Sequence, residues 1–474
     1  MNLLKLLKSP CHRADLELKG NELVCTESGR KYPVIDGVPS LIAEHSYTPE
    51  TVDDECDVSV LILTRDEAGN IGKQLESTAK ILKSLGATYQ LVVIDGHSSD
   101  GTVEEALSAG AKVERQSEPG YGNAFREGLN LCRGTWILTL DADGSHDPNF
   151  VRAVWAQRNN AEVVIASRYA GGDAKMPYSR MLTSKLLNTF MSRALSLPVK
   201  DLSGGYRLYR RAALSDIELN GRDFNVLIEL LTKLYLKGYQ IREVPFFYKP
   251  RGEGRSKAAL IRFALSYLGS CWRLWRLRNS IEAADYDGRA YRSLIYPQRY
   301  WQQKRFSIIT GMLDGQWDDI LDVGCGSSKI IQFLPGAVGL DFNIGKLRYL
   351  RRYHTRLVHG SIFGLPFADE SFETVICSQV IEHIPDTTEA VSELLRVLKP
   401  GGRLILGTPD YAGWQWPIIE RIYERVIPGG YAEEHITHLT RDGMVNLVES
   451  LGTTYLGEDF ILKAEWVGLF QKHK

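Results

Sequence analysis

Two carboxylates, Asp141 and Asp143, follow directly after the apolar run at 136–140 and precede Gly144 and Ser145. A buried strand that ends in Asp-Ala-Asp brings two oxygen ligands to the strand tip, where Mg²⁺ or Mn²⁺ can bind. Such a cation neutralises the charge that develops on a departing nucleoside diphosphate. Because Asp and Gly also favour ordinary turns, the surrounding sequence has to decide between a turn and a nucleotide-sugar site.

A second apolar run, at 91–94, ends in Asp95, and Asp100 follows in the next turn. Neighbouring parallel strands end at one edge of their sheet, where ligands bind. Asp95 at such an edge can accept hydrogen bonds from a base or a ribose, and Asp100 can cap the helix that follows. Gly122, in the segment 119–124, allows a phosphate to approach the backbone at a helix N-terminus.

The elements that position these residues are short apolar runs alternating with helical patterns. The runs lie at 58–63, 90–94, 136–140, 163–166, 319–323, 337–340, 374–377 and 403–407. This alternation predicts an α/β fold with parallel sheets. The polar stretch 43–57 and the weakly apolar stretch 279–305 predict the breaks between domains.

The composition narrows the class of protein. The chain has 474 residues, a net charge of −1 and seven cysteines without paired spacing. Basic residues are not gathered in one run, which argues against nucleic-acid binding, and the cysteines indicate a reducing compartment. The sequence shows neither a secretory signal nor an apolar run of about 18 residues. We therefore expect a cytoplasmic protein, with peripheral contact at the cytoplasmic face of a membrane.

Residues 57–280 resemble a family 2 glycosyltransferase of the GT-A fold, most closely the dolichyl-phosphate mannose synthase type. The matching segments are 64–67, 95–102, 120–124, 141–146, 167–172, 201–207, 243–245 and 251–257. The resemblance implies that Asp141 and Asp143 bind the metal and the diphosphate, with Ser145 beside them. It also implies that Asp95 binds the nucleotide, although Gly96 stands where the family has a second Asp.

The resemblance further implies that Arg168 and Asp201 lie where the acceptor phosphate meets the reacting sugar. Guanidinium and ammonium groups bind phosphate oxygens, and the candidates for this role are Arg207, Arg251, Arg255 and Lys257. The implied reaction is inverting attack by a polyprenyl phosphate on the anomeric carbon. Because that phosphate is already ionised at neutral pH, Asp201 is expected to orient the substrate more than to remove a proton.

A lipid acceptor requires access to a membrane. The segment 258–278 is apolar and aromatic, with arginines and with Trp272 and Trp275. Such a helix can lie in the plane of the lipid headgroups. It can equally pack against its own domain, and the sequence leaves both alternatives open.

Residues 300–474 resemble a class I S-adenosylmethionine-dependent methyltransferase. A glycine turn follows Asp322, and a second strand ends in Asp341, an arrangement that grips a ribose and the adjoining chain. The segments 365–375, 381–386 and 394–405 carry the resemblance. It implies that Asp322, Gly324 and Gly326 form the turn at the methionine end of the cofactor and that Asp341 binds the ribose hydroxyls.

Two departures from that family bear on activity. Ser328 stands for the third glycine, and Ser361 stands for the acid expected near the adenine. A hydroxyl acceptor would need a base, for which His435 and His383 are candidates. A methyltransferase domain that binds the cofactor without catalysis stays an alternative.

Residues 1–45 resemble the small zinc-ribbon Trm112-like family, which uses two Cys-x-x-Cys knuckles. Here Ala14 and Ser28 stand where Cys11 and Cys25 would have partners. Two thiols cannot supply the four ligands of a structural zinc site, so we expect the fold without metal. Since Trm112-like relatives bind methyltransferases, this segment is expected to dock on the C-terminal domain.

The sequence thus predicts a bifunctional enzyme with Mg²⁺ or Mn²⁺ and S-adenosylmethionine as cofactors, acting in glycan or glycolipid synthesis. One alternative makes the sugar acceptor a saccharide hydroxyl and lets the methyltransferase domain cap the glycan. The other makes the C-terminal domain a regulatory module that binds S-adenosylmethionine. The sequence does not identify the sugar, the nucleotide or the methyl acceptor.

Overall fold

The structure is a computed structural model and describes residues 3–42, 55–174, 178–248, 260–315, 318–426 and 435–474. The chain forms two compact units. One consists of residues 50–278, and the other combines residues 1–49 with 279–474. The two units are called here the middle unit and the composite unit.

The N-terminal segment of the composite unit is mostly strand. Its elements are α1 (Leu3–Leu6), β1 (Leu16–Lys19), β2 (Glu22–Cys25), β3 (Lys31–Ile35) and β4 (Val38–Leu41).

The middle unit alternates strands and helices. Its elements are β5 (Cys56–Thr64), α2 (Ile71–Ser84), β6 (Tyr89–Asp95), α3 (Thr102–Ser108), β7 (Lys112–Arg115), α4 (Tyr121–Leu131), β8 (Gly134–Thr139), α5 (Val151–Ala156), β9 (Val163–Ser167), β10 (Asp173–Ala174), α6 (Tyr178–Ala194), β11 (Arg207–Arg210), α7 (Asn225–Leu236), β12 (Ile241–Pro245), β13 (Phe247–Tyr248) and α8 (Leu260–Asn279).

The remainder of the composite unit also alternates. Its elements are α9 (Tyr286–Tyr291), α10 (Tyr296–Met312), β14 (Ile320–Val323), α11 (Lys329–Phe333), β15 (Val338–Asp341), α12 (Ile344–Leu350), β16 (Leu357–Gly360), β17 (Phe372–Ser378), α13 (Thr387–Val397), β18 (Leu398–Pro409), α14 (Gln415–Val426), α15 (Arg441–Ser450), β19 (Thr453–Ile461) and β20 (Glu465–Lys472).

The sheet of the middle unit has the strand order β12-β9-β11-β8-β5-β6-β7. Its interior strand β5 is apolar almost throughout and buried on both faces, as expected of a strand covered by helices on both sides. Helix α2 covers one face with Ile71, Leu75 and Leu82, which recur at helical spacing. Strands β5, β6, β8 and β9 run in the same direction, so their carboxyl ends meet at one edge of the sheet.

Strand β11 differs from the predicted parallel sheet. It lies antiparallel between β8 and β9, with Arg207 opposite Thr139 and Ile165. Its buried Leu208 and Tyr209 contribute to the cores on the two faces of the sheet. The predicted runs are all present as strands, but this short strand carries no apolar run long enough to indicate itself.

The sheet of the composite unit has the order β1-β2-β3-β4-β16-β15-β14-β17-β18-β20-β19. Strands β14 to β18 are parallel, whereas β19 and β20 add an antiparallel edge. Strand β4 pairs with β16, so the N-terminal segment extends the sheet. Leu7 and Leu41 of that segment share one core with Phe367. These observations confirm the predicted α/β class.

The second predicted break, 279–305, is largely helical, because residues 286–312 form α9 and α10. The boundary between the two units falls at 278/279, at the start of this stretch. Ile308 and Ile309 are buried and anchor α10 to the core, although the rest of that helix is largely polar. A helix that buries so few side chains has a weak periodic pattern, which explains why the sequence indicated a break.

Within the described residues, no helix is both long enough and apolar enough to cross a membrane.

Candidate active sites

The loop after β8 carries the acidic pair Asp141 and Asp143. The Asp143 side chain is 3% exposed and its Oδ1 accepts from Ser145 N at 3.0 Å, whereas Asp141 is half exposed. Asp141 N donates to His146 Nδ1 at 2.8 Å, and His146 Nε2 lies 3.5 Å from Asp141 Oδ2. The imidazole stacks on Tyr206 with ring centroids 5.1 Å apart. His146 thus fixes the loop while leaving part of Asp141 accessible.

These residues fit a hard divalent cation. The two carboxylates share their loop with a buried hydroxyl, Ser145 Oγ, which has no hydrogen-bond partner among the described residues. Oxygen donors of this kind suit Mg²⁺ and Mn²⁺, whose remaining ligands come from phosphate or water.

Asp95 and Asp100 both lie near the end of β6, but local bonds engage each of them. Asp95 is fully buried and accepts from Ser98 N at 2.9 Å and Ser98 Oγ at 2.5 Å. Asp100 accepts from Thr102 Oγ1 at 2.5 Å and Ala68 N at 3.1 Å, and the Thr102 bond lowers the pKa of Asp100. The Ala68 bond ties the loop after β5 to the loop after β6. Binding of a nucleotide by Asp95 stays a prediction.

Gly122 lies in the first turn of α4, where another segment of backbone comes very close. A Cβ at this position would stand 2.0 Å from the carbonyl oxygen of Gly221, and Gly122 N donates to Arg222 O at 2.7 Å. The space that the missing side chain leaves is therefore occupied by residues 221–222 of the same unit. A phosphate contact at Gly122 stays a prediction.

Arg168 and Asp201 form a bidentate pair. Arg168 Nε donates to Asp201 Oδ2 at 2.8 Å and Nη2 donates to Oδ1 at 2.7 Å. Ser203 Oγ accepts from the same Nη2 at 2.8 Å. Asp201 is fully buried, and although burial opposes ionisation, the Arg168 charge and hydrogen bonds lower the pKa of Asp201. Asp201 is therefore an ionised anchor for the guanidinium.

The pair and the acidic loop are neighbours across the Gly204–Gly205 link. A Cβ on Gly204 would lie 3.3 Å from Asp201 Oδ1, and a Cβ on Gly205 would lie 3.4 Å from Asp141 Oδ1. The Tyr121 hydroxyl is 3.5 Å from the latter position. The structure thus brings together two sites that lie 60 residues apart in the chain.

Arg207 is not brought to this cluster. Its fully buried guanidinium donates to the carbonyl oxygens of Leu202 at 2.6 Å and Leu227 at 2.9 Å, and to the Tyr209 hydroxyl. These bonds stabilise the core beneath the site. The other three predicted phosphate ligands, Arg251, Arg255 and Lys257, lie outside the described residues.

The composite unit holds a second candidate site beyond β14. Asp322, Gly324 and Gly326 line a cavity together with Asp287, Lys346 and others. Gly326 has a φ of +55°, and a Cβ there would meet Asp287 Oδ2 at 2.5 Å, so glycine is required on both counts. Asp287 accepts from Ser327 N at 2.9 Å and holds the turn.

Asp322 is the unusual member of this site. Its Oδ2 is buried without a hydrogen-bond partner among the described residues, and burial, then the charges of Asp341 and Asp287, raise its pKa to about 8. A buried carboxylate beside other carboxylates favours a cationic ligand. The site therefore fits S-adenosylmethionine, which carries a sulfonium and an ammonium group.

Asp341 lies at the end of β15 and braces the glycine turn. Its Oδ2 accepts from Gly326 N at 2.7 Å and its Oδ1 from Asn343 N at 2.7 Å. Each oxygen keeps a further lone pair for a hydroxyl. Contact with a ribose stays a prediction.

The two candidate bases, His383 and His435, come together with ring centroids 5.0 Å apart. His435 Nδ1 lies 2.8 Å from the Tyr411 hydroxyl and 3.1 Å from Glu420 Oε1. Burial, then the neighbouring charges of His383 and His438, lowers the pKa of His435 to about 4.

Sequence reasoning missed Asp287, Tyr121 and His146 as members of these sites. Asp287 lies in the stretch whose weak pattern predicted a break, so nothing marked it. Tyr121 and His146 stood inside matched segments, but only the fold shows their contacts with Gly205 and Asp141. Their polar aromatic side chains between glycines and acids were the available signal.

Comparisons with known proteins bear on both units. Residues 59–218 match the family described as Glycosyl transferase family 2, residues 321–406 match a Methyltransferase domain, and residues 2–37 match the Trm112p-like proteins. These matches confirm the three resemblances drawn from the sequence.

Two curated relatives match part of the chain. The dolichol-phosphate mannosyltransferase of Pyrococcus furiosus is 30% identical over 239 residues, 48% of this chain and 65% of the relative, so the chain spans less than two thirds of it. The polyprenol monophosphomannose synthase of Mycolicibacterium smegmatis is 32% identical over 212 residues, 41% of this chain and 78% of the relative. Among solved structures, a glucosyl-3-phosphoglycerate synthase from Mycobacterium tuberculosis with Mn²⁺, uridine diphosphate and phosphoglyceric acid aligns with a TM-score of 0.39 at 18% identity, covering 48% of this chain and 81% of that one.

Proposed function

This chain belongs to glycosyl transferase family 2, and we propose that its middle unit transfers a sugar from a nucleotide-sugar to a polyprenyl phosphate, with inversion. We propose further that the composite unit transfers a methyl group from S-adenosylmethionine in the same glycan or glycolipid synthesis. In this proposal, domain 57–280 carries the glycosyl transfer, domain 300–474 carries the methyl transfer, and segment 1–45 accompanies the methyltransferase domain.

The observation that carries the first proposal is the Arg168–Asp201 pair beside Asp141. A divalent cation bound at Asp141 and Asp143 would supply positive charge for the departing diphosphate. Arg168 would set a fixed guanidinium beside an anionic acceptor, and Asp201 would hold it there. Since Arg168 lowers the pKa of Asp201, this carboxylate is a poor base, which favours a phosphate acceptor over a saccharide hydroxyl.

Helix α6 supports a lipid acceptor. Leu182, Leu186 and Phe190 recur every four residues on one face and are 43%, 61% and 55% exposed. The opposite face contacts the site, because Asn188 Nδ2 donates to Ser203 Oγ at 3.0 Å. We propose that this apolar face meets the membrane or the polyprenyl chain.

Helix α8, which the sequence offered for that role, packs against its own unit in its described part. Leu274 is buried and Arg278 donates to the carbonyl oxygens of Leu195 and Ser196. Trp272 remains 61% exposed and stacks on Trp275. Among the described large apolar side chains of α8, Trp272 is the exposed one, and the exposed Arg273 and Arg276 flank it.

The direct test is product mass spectrometry on the full chain with Mn²⁺, S-adenosylmethionine, polyprenyl phosphate and a panel of nucleotide-sugars that begins with GDP-mannose. We expect one hexosyl unit to be added to the polyprenyl phosphate, and this product to disappear in Asp143→Asn. Transfer to oligosaccharides with none to polyprenyl phosphate would reject the proposed acceptor.

Membrane contact has its own test in vesicle sedimentation. Leu186→Ser with Phe190→Ser should weaken binding to anionic vesicles several-fold, because two exposed apolar groups are lost. Leu107→Ser, which removes a 56% exposed leucine from α3, is the matched control and should bind normally. Equal binding by both variants would remove α6 from the membrane contact.

We also propose that residues 1–45 serve as a built-in stabiliser of the methyltransferase unit. Leu7 pairs with Phe367, and Arg348 Nε donates to Asp36 Oδ2 at 2.7 Å. Leu7→Ala should lower the free energy of unfolding of the composite unit by about 2–5 kcal/mol. A chain without residues 1–45 that methylates as well as the full chain would contradict this role.

A further inference from the structure

A second cluster of ligating side chains lies in the composite unit, apart from the acidic loop at Asp141. Glu382 and His383 belong to a 3-10 turn, Ile381–His383, and His435 faces them from the segment before α15. One carboxylate oxygen of Glu382 and one nitrogen of each imidazole lie within 4.8 Å of one another. Such a set, one carboxylate and two imidazoles, is what catalytic zinc sites use.

Main-chain bonds hold the two segments of the cluster in place. The carbonyl oxygen of Glu382 accepts from Ile436 N at 2.9 Å and from Thr437 N at 3.1 Å. Thr437 Oγ1 donates to Ile384 O at 2.7 Å. Because these three bonds clamp 436–437 onto 382–384, the meeting of the side chains is a built feature of the fold.

Glu382 itself points to a cation. The residue is fully buried, and neither carboxylate oxygen has a hydrogen-bond donor in bonding geometry among the described residues. A buried carboxylate in this condition costs several kcal/mol unless a charge or a donor compensates it. Arg305, which pairs with Glu465, offers Glu382 only its charge. The neutral imidazoles of His383 and His435 bring no charge, whereas a bound metal ion would bring one to the cluster.

His435 is also oriented as a ligand. Its Nδ1 contacts the Tyr411 hydroxyl and Glu420 Oε1, so Nε2 is the nitrogen directed to the cluster. A carboxylate behind a ligating histidine is the usual support of metal-bound imidazoles. Glu420 therefore has the position of a second residue that orients His435.

We propose that Glu382, His383 and His435 bind a divalent cation of the zinc class. Imidazole ligands select such a metal over Mg²⁺, whose sites are made of oxygens. Three protein ligands leave one coordination position open.

The open coordination position of the proposed site lies near a cavity that leads towards the candidate cofactor site. Trp416 and Glu420, which contact His435, line a cavity with Gln302, Arg305 and Gln379. The last three also line the cavity around Asp322. Resting on the proposed methyltransferase function, the cation would stand on the acceptor side of the cofactor, where an acceptor oxygen can reach it.

The test is a Co²⁺ titration of the full chain after treatment with a chelator, without S-adenosylmethionine. We expect visible d–d absorption without a thiolate charge-transfer band, and binding about 100-fold weaker or worse in His435→Gln and Glu382→Gln. His435→Gln guards against a folding defect, because His435 lies outside the helices and strands of the unit while Glu382 is fully buried. Far-ultraviolet circular dichroism checks that each variant is folded.

Controls separate the other places where Co²⁺ can bind. The Cys11→Ser/Cys25→Ser chain, Asp141→Asn and His473→Asn should all keep the spectrum. Persistence of the spectrum in both cluster variants, its loss in the cysteine variant, or no saturable binding at all would overturn the proposal. A failure to bind S-adenosylmethionine would bear only on the proposed methyltransferase function, since the titration contains none.

Discussion

Asp201 and Asp322 are two buried aspartates in the two units, and their surroundings are opposite. Asp201 is fully buried and meets a bidentate guanidinium, so its pKa is lowered. Asp322 is 4% exposed and meets Asp341 and Asp287, so burial and these charges raise its pKa to about 8. Burial alone opposes ionisation in both, and the neighbouring charge decides the outcome.

The difference shows which site already contains its counter-charge. The middle unit has enclosed its own cation, Arg168, and uses Asp201 to fix that cation in place. The composite unit has enclosed three carboxylates, Asp322, Asp341 and Asp287, with one ammonium group, Lys346, which lies 3.7 Å from Asp287. A cationic ligand can compensate the remaining negative charge. We infer that Asp201 works as part of the scaffold and Asp322 as a ligand contact.

The largest expected effect comes from removing the enclosed cation. Arg168→Gln should lower glycosyl transfer by about 10²–10³-fold, because a preorganised charge at the reacting phosphate is lost. It should also lower the free energy of unfolding by about 3–5 kcal/mol, because Asp201 becomes an unpaired buried carboxylate. Initial rates and urea unfolding measure the two effects.

The control is Arg152→Gln, which removes an exposed guanidinium of the same unit that donates to Ser84 Oγ. It should leave rate and stability close to those of the unchanged chain. An Arg168→Gln chain that transfers sugar at the normal rate would contradict the claim that Asp201 holds a guanidinium that glycosyl transfer needs.

A smaller effect is expected when the uncompensated carboxylate is removed. Asp322→Asn should weaken binding of S-adenosylmethionine by about 10–100-fold, since one charge-assisted contact is worth about 1.5–3 kcal/mol. Isothermal titration measures the affinity. Asp369→Asn, an exposed carboxylate of the same unit, is the control. Unchanged affinity in Asp322→Asn would show that the cofactor does not use this group.

The pH dependence of that affinity sharpens the same point. With a pKa of about 8, Asp322 is protonated at pH 6 and must lose its proton to pair with a cation. Affinity for S-adenosylmethionine should therefore rise with pH and level off above 8, by at most about tenfold per unit. The affinity of the Asp322→Asn chain should not change with pH over this range. A pH dependence that persists in this variant would assign it to Asp287 or Asp341 and would contradict the role of Asp322.

The sequence predicted the strand tips well and the partners poorly. Asp141, Asp95 and Asp341 follow apolar runs and Asp322 lies within one. Each run became a strand, because the alternation of buried strands and helices is visible in the chain. The Gly204–Gly205 link, by contrast, joins the Asp141 loop to Asp201 through tertiary contacts that leave no periodic signal.

Arg207 and Asp287 show two ways in which the sequence misjudged site membership: Arg207 was predicted and is structural, whereas Asp287 was not predicted and lies in the site. Arg207 has the residue type of a phosphate ligand, yet its buried guanidinium bonds to main-chain carbonyls. Asp287 lies in a stretch without a clear pattern, yet it holds the glycine turn beside Asp322. Residue type and spacing indicate which chemistry is available, and only packing decides which side chains reach the ligand.

The smallest expected effect concerns Glu243, which positions the loop of Asp201. Glu243 Oε1 accepts from Asp201 N and Oε2 from Lys200 N, both at 2.9 Å. Glu243→Gln replaces one acceptor by a donor, which should cost about 1 kcal/mol of stability and lower kcat several-fold, with KM for the nucleotide-sugar unchanged. Glu162→Gln is the matched control, because Glu162 accepts from Gln240 N at 2.8 Å just before β12 begins. It should cost similar stability and leave kcat intact. If both variants lose kcat equally, the loss of stability explains the loss of kcat, and the position of the Asp201 loop does not. The proposed role of Asp201 as a scaffold for Arg168, which the comparison with Asp322 rests on, would then be contradicted.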